Sequence, residues 1–226
     1  KQPWSNRTLL PLDYVENKEQ NTVHSAVDVS VKLDSESTSI LLGKINEAYN
    51  TQINDILLSA LSMTLAEWTD NSKVLIDLEG HGREEILDDV DLSSTVGWFT
   101  SLFPVLLQVP ENKNIASVIK SVKEQLRAIP NRGIGFGILR YLSAPEINER
   151  IKQIPTGEIC FNYLGQFDQI ESESGWKFAS ESTGNNHSLK QNFSHILDIN
   201  ALVVEEELHI NWTYSSNIHN HNTVEK

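Results

Sequence analysis

Between Val27 and Leu33 the chain alternates: Val27, Val29, Val31 and Leu33 are separated by Asp28, Ser30 and Lys32, which predicts a half-buried β-strand. After Ser35 the period changes, and Ile40, Leu41, Ile45 and Ala48 share one helical face as far as Tyr49-Asn50. A second helix is written in Ile53, Ile56, Leu57, Ala60, Leu61, Leu65 and Trp68, with Thr51 or Asn54 as the side-chain acceptor for its first amides. Lys73 to Leu78 is a continuous apolar run that stops at a glycine-bearing polar turn. That is the signature of a strand buried on both faces, and it delivers Glu79 to the strand end. A further strand is expected over Phe103 to Val109. Ile115, Val118, Ile119, Val122 and Leu126 follow as an amphipathic helix that Pro130 must stop.

Glu158 to Leu164 reads as a strand, and Ile196 to Val204 and Leu208 to Tyr214 as two more joined by the acidic turn Glu205-Glu206-Glu207. Between them Glu171 to Asn192, rich in Ser, Gly and Asn, has the composition of a long surface loop. Strands and helices that alternate in this way define an α/β fold, a mixed sheet with flanking helices. Residues 1–20 carry no period and read as a connecting arm, so the body of the lobe is expected over 21–226. After the last strand an α/β lobe commonly places a closing helix, which is expected to be missing from this chain.

Composition narrows the function. The 226 residues carry a formal charge of −13, which disfavours a nucleic-acid or anionic-membrane surface, and every apolar run is far shorter than a membrane span. Cys160 is the single cysteine and cannot form an intrachain disulfide, and no signal peptide pattern marks the start of the chain, so a reducing, cytoplasmic location is expected.

The densest chemistry lies in Glu79-Gly80-His81-Gly82-Arg83-Glu84, where two carboxylates, an imidazole and a guanidinium are spaced by two glycines. A carboxylate at a strand end beside a cation can act as a proton-abstracting base. A solvated turn with a local ion pair accounts for the same residues. Zinc would need ligands beyond His81, and none stands at metal spacing; His219-Asn220-His221 reads as a frayed polar terminus. Gly133-Ile134-Gly135-Phe136-Gly137 follows a helix, where a dinucleotide loop must follow a strand. Gly97-Trp98-Phe99 and Phe161-Asn162-Tyr163 join glycine, amide and phenol groups to aromatics, for which core packing is the ordinary fate. Asn162 and Tyr163, adjacent on a strand, should point to opposite faces.

In order along the chain, these segments resemble the signature motifs of epimerization domains of nonribosomal peptide synthetases. Asn54 to Leu61 is similar to the third motif, Glu79 to Glu84 to the EGHGRE motif, and Thr95 to Thr100 with Phe103-Pro104 to the fifth. Pro130 to Gly137 and Phe161 to Gly165 are similar to the sixth and seventh. The resemblance implies the second lobe of a two-lobed, chloramphenicol acetyltransferase-like fold. Its first lobe, expected as a partner, would bring a His-His-x-x-x-Asp-Gly motif absent from this sequence.

It also implies an activity: inversion at the α-carbon of an aminoacyl or peptidyl thioester held on the phosphopantetheine of a peptidyl carrier protein, with no cofactor bound directly and no metal. Glu79 would be one acid/base group, with Arg83, Asn162 and Tyr163 in catalytic support and His81, Gly97 and Trp98 binding substrate. Phe136 and Phe103 stand where the family has tyrosine, so neither is expected to do polar chemistry. The chain alone is expected to be inactive. A carrier-docking lobe without catalysis and a condensation domain forming peptide bonds are the competing readings.

Overall fold

A computed structural model describes residues 4, 7, 9–14, 20–84, 86, 89–167, 181, 184 and 186–226. Most of the expected loop Glu171 to Asn192 lies outside the described residues. The strands form one mixed six-stranded sheet in the order β1-β6-β5-β4-β2-β3. The chain divides into two compact units, Lys1–Leu9 with Ala48–Phe161, and Leu10–Glu47 with Asn162–Lys226.

In the first unit, helix α3 (Ile53–Trp68) and strand β2 (Lys73–Gly80) match the expected segments. The α3 cap differs: Gln52 is the N-cap residue, and its N–H donates to the Asp55 carboxylate at 2.8 Å, so neither Thr51 nor Asn54 fills that place. Strand β3 (Ser101–Gln108) pairs antiparallel with β2 along its full length and occupies the sheet edge, where Pro104 removes no needed donor. β2 is buried from Val74 to Leu78, as a strand covered on both faces must be, whereas β3 buries only Phe103, Val105 and Leu107, in alternation. Helix α4 (Ile115–Arg127) packs Val118, Ile119 and Val122 inward, and Asn114 caps it through the Ser117 N–H.

Residues 128–152 hold two short helices not expected from the sequence reading, α5 (Gly135–Tyr141) and α6 (Pro145–Lys152). Strand β4 (Ile159–Gln166) begins parallel to β2, with Ile76, Asp77 and Leu78 opposite Ile159, Cys160 and Phe161. Buried Asp77 holds that register, since its Oδ1 accepts the Gly157 N–H at 3.1 Å.

The second unit is built on an antiparallel set, β1 (Ala26–Leu33), β5 (Leu197–Val204) and β6 (Glu207–Ser215), in which β6 pairs with both others. The β5–β6 hairpin turns on Glu205 and Glu206, both at positive φ as a two-residue hairpin requires, and Glu207 already belongs to β6. β5 buries Leu197, Ile199, Ala201 and Val203 in strict alternation. On β1 the alternation overstated burial: Val29 is inside, but Val31 is 50% and Leu33 38% exposed. The expected helix after Ser35 is interrupted, running as α1 (Ser35–Ile40), a π-helical stretch Leu41–Ile45, and α2 (Asn46–Tyr49). α1 is capped by Asp34, whose carboxylate accepts the Ser37 N–H.

The chain's end is not frayed, contrary to expectation. A short helix, α7 (His221–Glu225), closes the described chain, and His219 just before it is among its most buried side chains. The Asp13 carboxylate accepts the Asn220 N–H at 2.7 Å and lies 3.6 Å from His219 Nδ1, while the Tyr14 N–H donates to the Ile218 carbonyl. At Asp13 and Tyr14 the arm is hydrogen-bonded to the chain's end, and Leu10 is buried.

Burial, only partly offset by Asp13, keeps His219 neutral to lower pH than the ordinary 6.5. Below about pH 6.5 the unfolded chain binds a proton that the folded chain refuses, so stability falls with pH by at most about 1.4 kcal/mol per unit for this group. Asp13, held below the ordinary carboxylate range chiefly by the Asn220 N–H, loses its contribution only at lower pH, as its folded carboxylate protonates. Urea midpoints should therefore drop between pH 7 and pH 5.5 and drop less in His219→Gln; equal slopes in both proteins would exclude His219 as the source.

Candidate functional site

Glu79 lies next to the end of β2, half-buried, opposite Leu102 of β3. It lines a cleft of about 490 Å³ in the first unit, together with Gln52, Asn54 and Asp55 at the start of α3, and His81 and Glu84 beyond β2. Phe103, Arg127 and Arg132 complete its polar and aromatic wall. Residues far apart in sequence thus face one space, because β2 sits between β3 and β4 with α3 and α4 against the same unit.

The turn after Glu79 is held by close backbone approach. Gly82 has φ +65°, and a Cβ there would overlap the Phe99 carbonyl oxygen. The next residue fastens the same neighbour: Arg83 donates to the Leu92 carbonyl at 2.5 Å and the Gly97 carbonyl at 3.3 Å, and its guanidinium stacks 4.4 Å from the centre of the Phe99 ring. These contacts tie the EGHGRE turn to the Thr95–Thr100 segment. Trp98 in that segment is 90% exposed and Val96 fully so, which rules out core packing for Trp98.

His81 is engaged at both ring nitrogens. Nδ1 accepts the Arg83 N–H at 3.0 Å, which places the ring hydrogen on Nε2, 3.1 Å from Glu84 Oε1. Glu84 reaches on to Arg132 Nε at 3.6 Å. Arg132 enters the cleft from a tight turn, Pro130–Gly133, in which Asn131 and Arg132 take positive φ. Gly133, at φ +81°, lies so close against the Phe103 ring that a Cβ would overlap it, so that turn can close only over a glycine. The Gly133–Gly137 stretch is thus a packing turn followed by a helix. Arg127 at the end of α4 donates to the Asn50 carbonyl at 2.6 Å and lies 4.0 Å from Asp55 Oδ2.

In the second unit, Asn162 and Tyr163 are half-buried on β4. The Tyr163 hydroxyl is buried with no hydrogen-bond partner among the described residues, and burial raises its pKa, so it stays protonated as a donor at neutral pH. Glu79, His81, Arg83 and Gly97 are therefore assembled in one neighbourhood of the first unit. Arg127 and Arg132, not singled out from the sequence, join the cleft; their only local signal was a cation at a helix end and in a turn.

The mixed six-stranded sheet with flanking helices matches the chloramphenicol acetyltransferase-like fold of nonribosomal peptide synthetase domains. The epimerization domain from the third module of tyrocidine synthetase B superimposes with a TM-score of 0.89 at 35% identity, over 97% of this chain and 49% of that one. The X-domain from teicoplanin biosynthesis shares the fold, at TM-score 0.67 and 17% identity, over 98% and 48%.

The chain belongs to the condensation domain family, whose pattern matches residues 2–226. It is 46% identical to a linear gramicidin synthase protein of Brevibacillus parabrevis over 219 residues, 96% of this chain and 3% of that protein. Gramicidin S synthase 1 of Brevibacillus brevis is 39% identical over 233 residues, 99% of this chain and 21% of that protein. The chain thus spans a small part of these relatives. No helix among the described residues is long and apolar enough to cross a membrane.

Proposed function

We propose that this chain is the second lobe of an epimerization domain and interconverts the L and D configurations of an aminoacyl or peptidyl thioester carried on the phosphopantetheine of a carrier protein. The observation that carries this reading is Glu79, a carboxylate at the end of a buried strand, lining a cleft beside the EGHGRE turn. The similarity to the tyrocidine synthetase epimerization domain supports it.

In the proposed reaction the Glu79 carboxylate takes the α-proton, and the C–H electron pair moves into the thioester carbonyl to give an enolate. Return of a proton to the opposite face by a histidine of the first lobe inverts the centre, and return to the same face restores it. The thioester makes the proton acidic enough for a carboxylate to begin the transfer. Tyr163 keeps a buried, protonated hydroxyl that can act as a hydrogen-bond donor, and because it neighbours Asn162 on a strand at most one of the two faces a given cavity. Arg83 acts by holding the Leu92–Phe99 segment against the turn that follows Glu79.

The test is α-proton exchange into deuterated water on an aminoacyl-phosphopantetheinyl carrier, with this chain in the presence and absence of a first lobe. Exchange that requires both is the expected result. Carrier binding without exchange would favour a docking lobe, and peptide-bond formation in place of exchange would favour a condensation domain.

A further inference from the structure

Asn54 was a candidate cap for α3, but the cap is built by Gln52 and Asp55, and this leaves the Asn54 amide without that role. Its Oδ1 is buried and meets no donor among the described residues. Buried acceptors nearly always have a donor, and one that lacks it at the wall of a cleft points to a donor supplied from outside. The two guanidiniums of the cleft are already engaged. Arg127 is directed to the Asn50 carbonyl and the Asp55 carboxylate, and Arg132 to Glu84.

The charge of the cleft selects what can come in. Asp55, Glu79 and Glu84 stand against Arg127 and Arg132, three carboxylates to two guanidiniums, so an N–H donor or cation is favoured over an anion. The terminal amide torsion of asparagine is soft, so the amide can turn to present Oδ1 to a donor entering the cleft.

We infer that Asn54 accepts a hydrogen bond from the N–H attached to the α-carbon of the bound thioester, an ammonium in an aminoacyl substrate or an amide in a peptidyl one, and so orients that carbon toward Glu79. The inference rests on the epimerization reading for the identity of the thioester. It is independent of that reading for the recognition itself.

The test measures binding of three non-hydrolysable pantetheine amides, carrying alanyl, N-acetylalanyl or propionyl groups, to the full chain supplied with a first lobe. The propionyl compound has no N–H at the α-carbon. The unmodified chain should prefer an N–H compound over the propionyl one by about tenfold or more. A stronger preference for the alanyl compound identifies the ammonium as the donor, and a stronger preference for the N-acetyl compound identifies the amide. In Asn54→Leu the preference should fall to within about twofold of unity, while thermal stability stays level or rises, because a buried unpaired acceptor has been removed. Asn54→Ala, too small to clash, should lose the preference in the same way, and Asn54→Asp, which keeps an acceptor, should retain it. No preference in the unmodified chain, or a preference that survives in the folded leucine and alanine variants, overturns the inference. So does a loss of stability in both that parallels the loss of binding. A preference that behaves as expected in a protein that exchanges no α-proton would overturn the epimerization reading and leave the role of Asn54 in recognition standing.

Discussion

Replacing Glu79 by glutamine should lower α-proton exchange on a carrier-bound aminoacyl thioester by about 10²- to 10⁴-fold, the range that a positioned general base contributes. The substitution keeps size and shape and changes only the ability to take a proton. Glu79 sits on a strand whose preceding five residues are buried and whose pairing with β3 runs from Lys73 to Gly80, so the backbone that presents the side chain should not move. Urea unfolding should accordingly shift by less than about 1 kcal/mol, the ordinary range for a half-buried polar exchange. Exchange measured by mass spectrometry in deuterated water decides the matter. Near-normal exchange in a folded Glu79→Gln protein would remove this residue from the proton-transfer step, and a large loss of stability would mean that the carboxylate is structural.

The second large effect is expected at Gly82. A methyl group there would overlap the Phe99 carbonyl oxygen, and the backbone is at φ +65°, where an L residue with a Cβ is strained even in open space. Relief requires either the turn or the Phe99 segment to move, and Arg83 binds the two together through Leu92, Gly97 and the Phe99 ring. Gly82→Ala should therefore cost roughly 2–4 kcal/mol, the sum of backbone strain and overpacking. It should also reduce exchange even at temperatures where the protein remains folded, since the displaced turn is the one that follows Glu79. By contrast, Gly135→Ala is a control on the same chain: nothing lies within contact of its added Cβ, so the unfolding midpoint should hardly change. If Gly82→Ala matches that control, the close approach at Phe99 does not constrain the turn.

How far local pattern reaches is clear from particular elements. α3, α4 and β5 were legible because each buries a face and burial of a face imposes a period, and β2 because burial on both faces leaves an unbroken apolar run. α5 and α6 were not, since they are only seven and eight residues long and neither contains a buried residue. The π-helical stretch at Leu41–Ile45 likewise disturbs the hydrogen-bond ladder without altering which side chains are apolar.

For the candidate site, Glu79 could be placed at a strand end from the run Lys73 to Leu78, and five ordered motifs were enough to identify the family. Those conclusions depend on residues near one another in sequence. The meeting of Asn54, Glu79, Glu84, Phe103 and Arg132 around one cleft depends on β2 lying between β3 and β4, a long-range pairing that no local period encodes. The same holds for His219, which the sequence presents as one polar residue among several near the chain's end and which the structure buries beside Asp13, near the opposite end of the chain. It holds in reverse for Trp98, an aromatic with every local reason to be inside that the tertiary structure leaves exposed. The sequence by itself determined the elements and the chemical groups they carry, because propensity and periodicity act over a few residues. Only the tertiary structure decided which of those groups share a cavity, lose their water or remain unpaired, because these are properties of packing between segments that are distant along the chain.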